Sequence, residues 1–302
     1  MPRGACAEHH GGVSEASDSP LHGWKGRPIM PTTQASASPS APTTAKTAAD
    51  YYDELFLDVL CLPWAERASE RAALAAGERV LDVACGTGAV ASVVLPEIGS
   101  EGSVVGIDRN PEMLAVARRK MPDLDWREGR AEALPFDDSG FDAVLCQFGL
   151  MFFDDRGLAL REMCRVLRPG GRVALTVWDG LERTPAYTAL TELVEQHLGP
   201  AAGRPIRDAF ALGDEAAMRA LVEDAGFTSV EVASVHDVAC FPTLASWVDA
   251  EVKGWVGGGF TEEEYAAFFA EAERVLAPYV SSDGKAEFAL PAVIASGWKP
   301  PS

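Results

Sequence analysis

The chain has 302 residues, 47% of them hydrophobic, enough to bury a full core, and it contains no apolar run near the roughly 18 to 20 residues needed to cross a bilayer. Its 45 Asp and Glu against 26 Lys and Arg give a formal net charge of -19, which repels phosphate backbones and argues against nucleic acid and anionic membrane surfaces as partners.

Residues 1–46 are rich in Ser, Ala, Thr, Pro and Gly without periodic apolar positions, which predicts a disordered tail ahead of one domain over 47–302. The tail lacks the apolar centre of a signal peptide, and Glu8, Glu15 and Asp18 argue against a transit peptide, so the expected compartment is the cytoplasm. Met30 offers a second start, and His9 and His10 in such a tail make no metal site. The six cysteines show neither a CxxC pair nor Cys/His ligand spacing, which predicts reduced thiols acting as small hydrophobes, with no metal.

Order is expected from Ala48. Tyr52, Leu55, Phe56, Val59 and Leu60 share one helical face, Pro63 ends that run, and a second helix covers Trp64 to Ala76 before Gly77. Arg79 to Val83 is an apolar strand entering the turn of Gly86 and Gly88. Ser103 to Asp108 is a second strand, followed by a helix capped at Asn110 with Pro111 at its first position. Leu124 to Glu128 and Phe141 to Phe148 are the third and fourth strands; a helix capped by Asp154 or Asp155 and the strand Arg172 to Trp178 follow. Helices starting at Thr184 and Asp214 flank an expected loop over 199–213. Ser229 to Phe241 reads as a sixth strand. A helix then bears Leu244, Trp247, Val248 and Trp255, the hinge Gly257, Gly258, Gly259 follows, the capping box of Thr261 and Glu264 opens a last helix, and Glu287 to Ser296 is the final strand. Apolar strands alternating with helices predict a doubly wound α/β domain with a mostly parallel sheet.

Gly86, Gly88 and Ala91 fit the GxGxxG/A spacing, and Asp108 lies 20 residues after Gly88, so a dinucleotide is one reading. Asp82 opposes it. A fixed carboxylate about 6 Å from a pyrophosphate, at an effective dielectric near 20, repels each unit charge by roughly 3 kcal/mol. S-adenosylmethionine has no phosphate and carries an ammonium and a sulfonium, so its charge pattern suits Asp82 where that of NAD does not.

Five ordered motifs then carry a resemblance: VLDVACGTG (Val80 to Gly88), VVGIDRNPEML (Val104 to Leu114), GRAEALPF (Gly129 to Phe136), FDAVLCQFGLMFF (Phe141 to Phe153) and RVLRPGGRVALTVW (Arg165 to Trp178). Together they resemble the class I S-adenosylmethionine-dependent methyltransferases, in the ubiquinone/menaquinone-biosynthesis-like branch of small-molecule enzymes. The resemblance implies a Rossmann-like, seven-stranded, mostly parallel sheet with helices on both faces. Helical insertions over about 180–213 and 242–285 would form an acceptor-side cap. It also implies that Asp82, Ala84, Cys85, Gly86 and Gly88 hold the methionine moiety, that Asp108 binds the ribose hydroxyls, and that Arg109 and Met113 lie beside the adenine. Arg130 and Ala131 would flank the other adenine face, with Gln147 and Phe148 on the methionine side. Many relatives have Asp where Arg130 stands; Arg cannot accept a hydrogen bond, so Glu132 or a backbone carbonyl is expected to take the adenine amino group.

Methyl transfer from a sulfonium is an in-line displacement that needs mainly positioning, so no fixed catalytic signature is expected. Tyr52, Asp179 and His197 are the candidate catalytic residues, each with a structural alternative: an aromatic staple, turn capping and helix packing. His236 is expected in solvent. Trp178, Trp247, Trp255, Phe268 and Phe269 are either acceptor pocket or core. The expected enzyme methylates O, N or C of a small apolar or aromatic molecule as a monomer or homodimer. The rivals are an NAD-dependent oxidoreductase and a non-catalytic nucleotide-binding module.

Overall fold

The computed structural model describes residues 46–252, 254 and 260–301. The tail as far as residue 45, with His9, His10 and Met30, lies outside the described residues, as do Trp255 and Gly257, Gly258 and Gly259.

Strands β1 (Arg79–Val83), β2 (Ser103–Asp108), β3 (Asp125–Glu128) and β4 (Phe141–Gln147) form where the apolar runs predict them, and β5 (Leu167–Trp178) starts ahead of the expected Arg172. They belong to a seven-stranded sheet of order β3-β2-β1-β4-β5-β9-β6, in which β9 (Ala292–Trp298) runs antiparallel to β5 and to β6 (Thr228–Val235). The other pairings are parallel. Alternate residues of the strands serve two cores. On one face Val80, Val104, Ala143 and Leu145 meet α2 (Leu62–Ala72), α3 (Ala89–Ile98) and α4 (Pro111–Lys120). On the other, Leu81, Val144, Val173 and Leu175 meet α5 (Arg156–Val166), α6 (Pro185–Leu198) and α8 (Glu215–Asp224). Helices therefore cover both faces, as a parallel sheet requires.

The caps follow the sequence. Asn110, Asp155 and Asp214 each accept a hydrogen bond from a first-turn amide, and Thr261 with Glu264 forms the capping box of α10 (Glu262–Val275).

Three expectations are corrected. Pro63 does not end the first helix: α1 (Ala48–Phe56) runs through the π-helical turn Leu57–Cys61 into α2, with Pro63 in the first turn of α2 directly after the π-helical turn. The expected loop 199–213 contains α7 (Pro200–Ala209), which opens on a proline at its first position and buries Gly203, Ile206 and Ala209. The sixth and final strands are each split. Residues 229–241 divide between β6 and β7 (Val238–Phe241), and 287–296 between β8 (Ala286–Ala289) and β9, with Pro291 at the second break, where it has no amide for the ladder.

β7 and β8 form a separate antiparallel ribbon. It packs with α6, α9 (Leu244–Glu251) and α10 around Trp247, which is fully buried with its ring 4.2 Å from that of Phe288. Truncating an aromatic in such a position costs about 3 to 5 kcal/mol. α1 is tied to α4 by Arg119 with Asp50 and by Lys120 with Asp53 at 2.7 Å.

Among the described residues no helix is long and apolar enough to cross a membrane, and no cluster of three His, Cys, Asp or Glu could hold a metal. Cys61, Cys85, Cys146 and Cys164 are free thiols. Cys240 is disulfide-bonded, a departure from the expectation of reduced thiols throughout, and one that no CxxC spacing announces.

Candidate active site

Strand order reverses between β1 and β4, and the crevice outside the carboxyl ends of such strands is where open α/β sheets take ligands. Two backbone features shape it. After β1 the chain reverses through left-handed residues at Ala84 (φ 58°), Gly86 (φ 53°) and Gly88 (φ 89°), the last being the N-cap of α3. A Cβ on Gly88 would stand 2.6 Å from Met121 Cε and 2.9 Å from the Trp126 ring, so conformation and space both demand glycine. After β4, Phe148 is also left-handed (φ 52°). A Cβ on the following Gly149 would lie 2.5 Å from Ala84 Cβ, so the two turns are in close contact. Non-glycine residues held in this region at both strand ends carry strain of the kind that collects at functional sites.

Two carboxylates stand at these ends. Asp82, on β1, is 1% exposed, and neither of its oxygens has a hydrogen-bond partner. Burial, reinforced by the charge of Asp108, lifts its carboxyl from 3.8 to about 8; the Ala91 amide, outside hydrogen-bond geometry, opposes that shift. Asp108, at the end of β2, accepts from the Gly86 amide at 2.9 Å and the Asn110 amide at 2.7 Å. Burial still raises its pKa, with those two amides pulling it down. Each Asp108 oxygen keeps a lone pair for a further donor. A buried carboxylate with no donor of its own suits a cationic group and disfavours a phosphate, and the chemistry of this donor set fits an ammonium and a diol.

The other expected cofactor residues are gathered at the same end with different partners. Met113 is buried against Ala49 and Val116 beneath Tyr52. Arg109 follows Asp108 directly and is half-buried. Ala131 is buried, but Arg130 turns outward to Asp154 at 2.5 Å and Glu132 at 3.4 Å. Glu132 accepts from the Asp154 amide at 2.9 Å, so the carboxylate expected to replace the missing Asp is already engaged. Gln147 donates through Nε2 to the Cys61 carbonyl at 2.8 Å, while its buried Oε1 has no partner. Cys85 is packed against this end of the sheet, and burial pushes its thiol and that of Cys146 up, so neither is a nucleophile at neutral pH.

Beside the carboxylates opens a cleft lined mainly by aromatic and aliphatic side chains. Phe148 stacks on Trp178 with ring centres 3.7 Å apart, and Phe210 continues the stack at 6.2 Å. Tyr52 lines it too, with its hydroxyl 3.4 Å from Cys61 Sγ, a thiol that burial raises to about 11. Glu251, 1% exposed, reaches the cleft from the end of α9 and accepts a hydrogen bond from Tyr187 at 2.5 Å.

The other two catalytic candidates lie elsewhere. Asp179 is fully buried, accepts from the Gly180 amide at 2.7 Å and from the Ser234 hydroxyl, and pairs with Arg183 at 3.3 Å, so it braces the turn after β5. His197 bonds Glu271 at 3.0 Å and meets the Phe268 ring edge-on, tying α6 to α10. His236 is exposed. Of the expected pocket aromatics, Trp178 lines the cleft, whereas Trp247 and Phe268 are fully buried in the core and Phe269 packs against it.

Sequence reasoning missed Phe210, which falls in the expected loop, and Glu251. The signal for Glu251 was present: it completes the spacing Leu244, Trp247, Val248, Glu251, a carboxylate on a buried stripe.

A family model described as a methyltransferase domain matches residues 81–175. The ubiquinone/menaquinone biosynthesis C-methyltransferase UbiE of Xylella fastidiosa is 47% identical over 102 residues, 32% of this chain and 40% of that protein. The chain thus spans well under two thirds of that relative's length. The demethylmenaquinone methyltransferase of Staphylococcus carnosus is 32% identical over 185 residues, 57% of this chain and 76% of that protein. A solved protein of Bacillus halodurans superposes with a TM-score of 0.56 at 22% identity over 78% of this chain and 98% of that one, a likeness of fold. The strand order, the glycine turn between two carboxylates and the extended match to the Staphylococcus carnosus protein lead to one family: the chain belongs to the S-adenosylmethionine-dependent methyltransferases of the ubiquinone/menaquinone type.

Proposed function

We propose that this chain transfers a methyl group from S-adenosylmethionine to a small aromatic acceptor of the quinone type. The observation that carries the reading is Asp82, a buried carboxylate without a hydrogen-bond donor at the switch point of the sheet. In this reading Asp82 takes the ammonium, with the turn from Ala84 and Cys85 through Gly86 to Gly88 giving the backbone close approach. Asp108 takes the ribose hydroxyls. Arg109, Met113 and Ala131 bound the adenine, while Gln147 and Phe148 stand at the methionine side. Arg130 and Glu132, already engaged with Asp154, close the adenine side from outside, which leaves its amino group to backbone carbonyls. The cofactor supplies an activated methyl on a sulfonium.

The rest is positioning. The aromatic cleft offers flat apolar walls to a ring, excludes water and holds the acceptor against the cofactor side; such orientation contributes about 7 to 11 kcal/mol in well-aligned reactions. The segments 180–213 and 242–285 serve as the acceptor-side cap. The relatives named for quinones, among them the 2-phytyl-1,4-beta-naphthoquinone methyltransferase of Arabidopsis thaliana, support this choice of acceptor.

The test is transfer itself. Incubation with methyl-labelled S-adenosylmethionine and 1,4-naphthohydroquinone should place label on the ring compound, read by mass spectrometry. Label that stays on the cofactor across a panel of quinols and phenols would count against the reading.

A further inference from the structure

Asp82 is 1% exposed and Met113 and Ala131 are buried, so the crevice at the strand ends is covered, and a nucleoside enters only if a covering element moves. α2, α3 and α4 are built into the core on one face of the sheet. α1 meets α4 differently, through a small separate cluster in which Ala49 and Tyr52 cover Met113 and Val116. Tyr52 also lines the aromatic cleft, so α1 spans both halves of the site. Among the described residues two ion pairs complete its contact with α4. Arg119 holds Asp50, whose other oxygen closes the capping box at Thr47, and Lys120 holds Asp53 at 2.7 Å. Pairs of this exposed kind are weak and are screened by salt. The other end of α1 is fixed. Phe56 is buried in the main core, its ring edge-on to that of Phe241. In the π-helical turn that follows, the Leu62 amide reaches back five residues to the Leu57 carbonyl. Gln147 pins that turn to β4 by donating to the Cys61 carbonyl at 2.8 Å, and Trp64 just beyond it is buried. Single π-helical turns recur at functional sites.

We infer that α1 is a latched lid over the cofactor crevice: it swings about the π-helical turn Leu57–Cys61 and is held shut on α4 by the pairs of Arg119 with Asp50 and Lys120 with Asp53. The inference rests on the reading of this crevice as the S-adenosylmethionine site. Opening carries Ala49 and Tyr52 away from Met113 and parts the Tyr52 hydroxyl from Cys61 Sγ, 3.4 Å away when the lid is shut. Closure restores the wall that the crevice shares with the aromatic cleft. S-adenosylhomocysteine has no net charge at neutral pH, so salt leaves its diffusional encounter unaltered and acts on the latch.

The experiment compares the full chain with the double variant Arg119→Gln, Lys120→Gln. In the ligand-free protein N-ethylmaleimide should modify Cys61 about 2- to 10-fold faster in the variant, and faster in wild type at about 0.5 M than at about 0.05 M sodium chloride. Cys146, 1% exposed within β4, should stay unreactive; peptide mass spectrometry reads both thiols. Stopped-flow mixing with S-adenosylhomocysteine should show association and dissociation both faster in the variant by roughly 2- to 10-fold, with Kd changed less than either rate. Lys120→Glu alone should open the lid in the same way, and adding Asp53→Lys, which rebuilds the pair in reverse, should slow both rates again. Cys61 labelling that responds to neither variant nor salt, Cys146 labelled in step with Cys61, or ligand rates equal in wild type and variant would overturn the lid. If S-adenosylhomocysteine does not bind at all, the methyl-donor reading falls and Cys61 labelling, which needs no ligand, judges the lid alone.

Discussion

Asp108 stands at the carboxyl end of β2, two residues beyond Gly106, the register partner of Asp82 on β1, and its charge adds to the burial that raises the Asp82 carboxyl to about 8. The two acids differ in one respect that decides their chemistry. Asp108 is held by two amides, and Asp82 by none.

That difference makes Asp82 a cost to the ligand-free fold. An acid whose pKa is about 8 when folded and 3.8 when unfolded retains a proton in the folded chain that the unfolded chain has released. Its contribution to stability therefore declines as pH climbs from about 4 and levels off above about 8. Ligand-free Asp82→Asn should be more stable than wild type, with an advantage that grows by about 3 kcal/mol between pH 5.5 and 8.5. Thermal denaturation at the two pH values reads it; a pH-independent difference would show that Asp82 is already ionised.

Asp108→Ala should weaken S-adenosylhomocysteine binding by about 1.5 to 3 kcal/mol, or roughly 10- to 150-fold, through loss of a charge-assisted contact. It also frees the Gly86 and Asn110 amides, so Asp108→Asn, which keeps one carbonyl oxygen, should recover part of the affinity. Calorimetry that finds Asp108→Ala unchanged removes Asp108 from the site.

Gly88→Ala places a side chain where φ is 89° and where Met121 and Trp126 occupy the space. A loss of about 2 to 4 kcal/mol in stability is expected from conformational strain plus overpacking. Chemical denaturation tests it, and a loss below about 0.5 kcal/mol would mean that the turn relaxes freely.

Phe210 lines the aromatic cleft from beyond the end of α7, stacking in turn against Trp178 and tilted against Tyr187. Phe210→Leu should raise KM for 1,4-naphthohydroquinone by roughly 2- to 12-fold, the value of one aromatic pair, while S-adenosylhomocysteine affinity stays within about 2-fold. A change in cofactor affinity with KM constant would move Phe210 to the other side of the site.

The strands β1, β2 and β4 were legible in the sequence because a sheet covered on both faces leaves unbroken apolar runs, and Asn110, Asp155, Asp214 and Thr261 were legible as caps because their side chains satisfy orphan amides locally. What escaped was set by tertiary context. Pro200, Gly203 and Pro205 read as a loop, yet α7 forms because Ile206 and Ala209 find a core to cover them. The division of each late strand at 236–237 and 290–291 follows from the fold's need to supply both the main sheet and the ribbon, which no local period encodes. Asp82 was legible as a costly buried acid because it stands on an apolar strand, whereas the partner of Arg130, Asp154, was revealed only in three dimensions.

The proposed function requires Asp82 to make this a site for a cationic, phosphate-free nucleoside. Calorimetric titration of wild type and Asp82→Asn with S-adenosylhomocysteine and with NAD at pH 8 tests it most directly. Wild type should bind S-adenosylhomocysteine and not NAD, and Asp82→Asn should lose roughly 10- to 150-fold in affinity. Binding of NAD without S-adenosylhomocysteine, or an Asp82→Asn chain that binds S-adenosylhomocysteine as tightly as wild type, would contradict it.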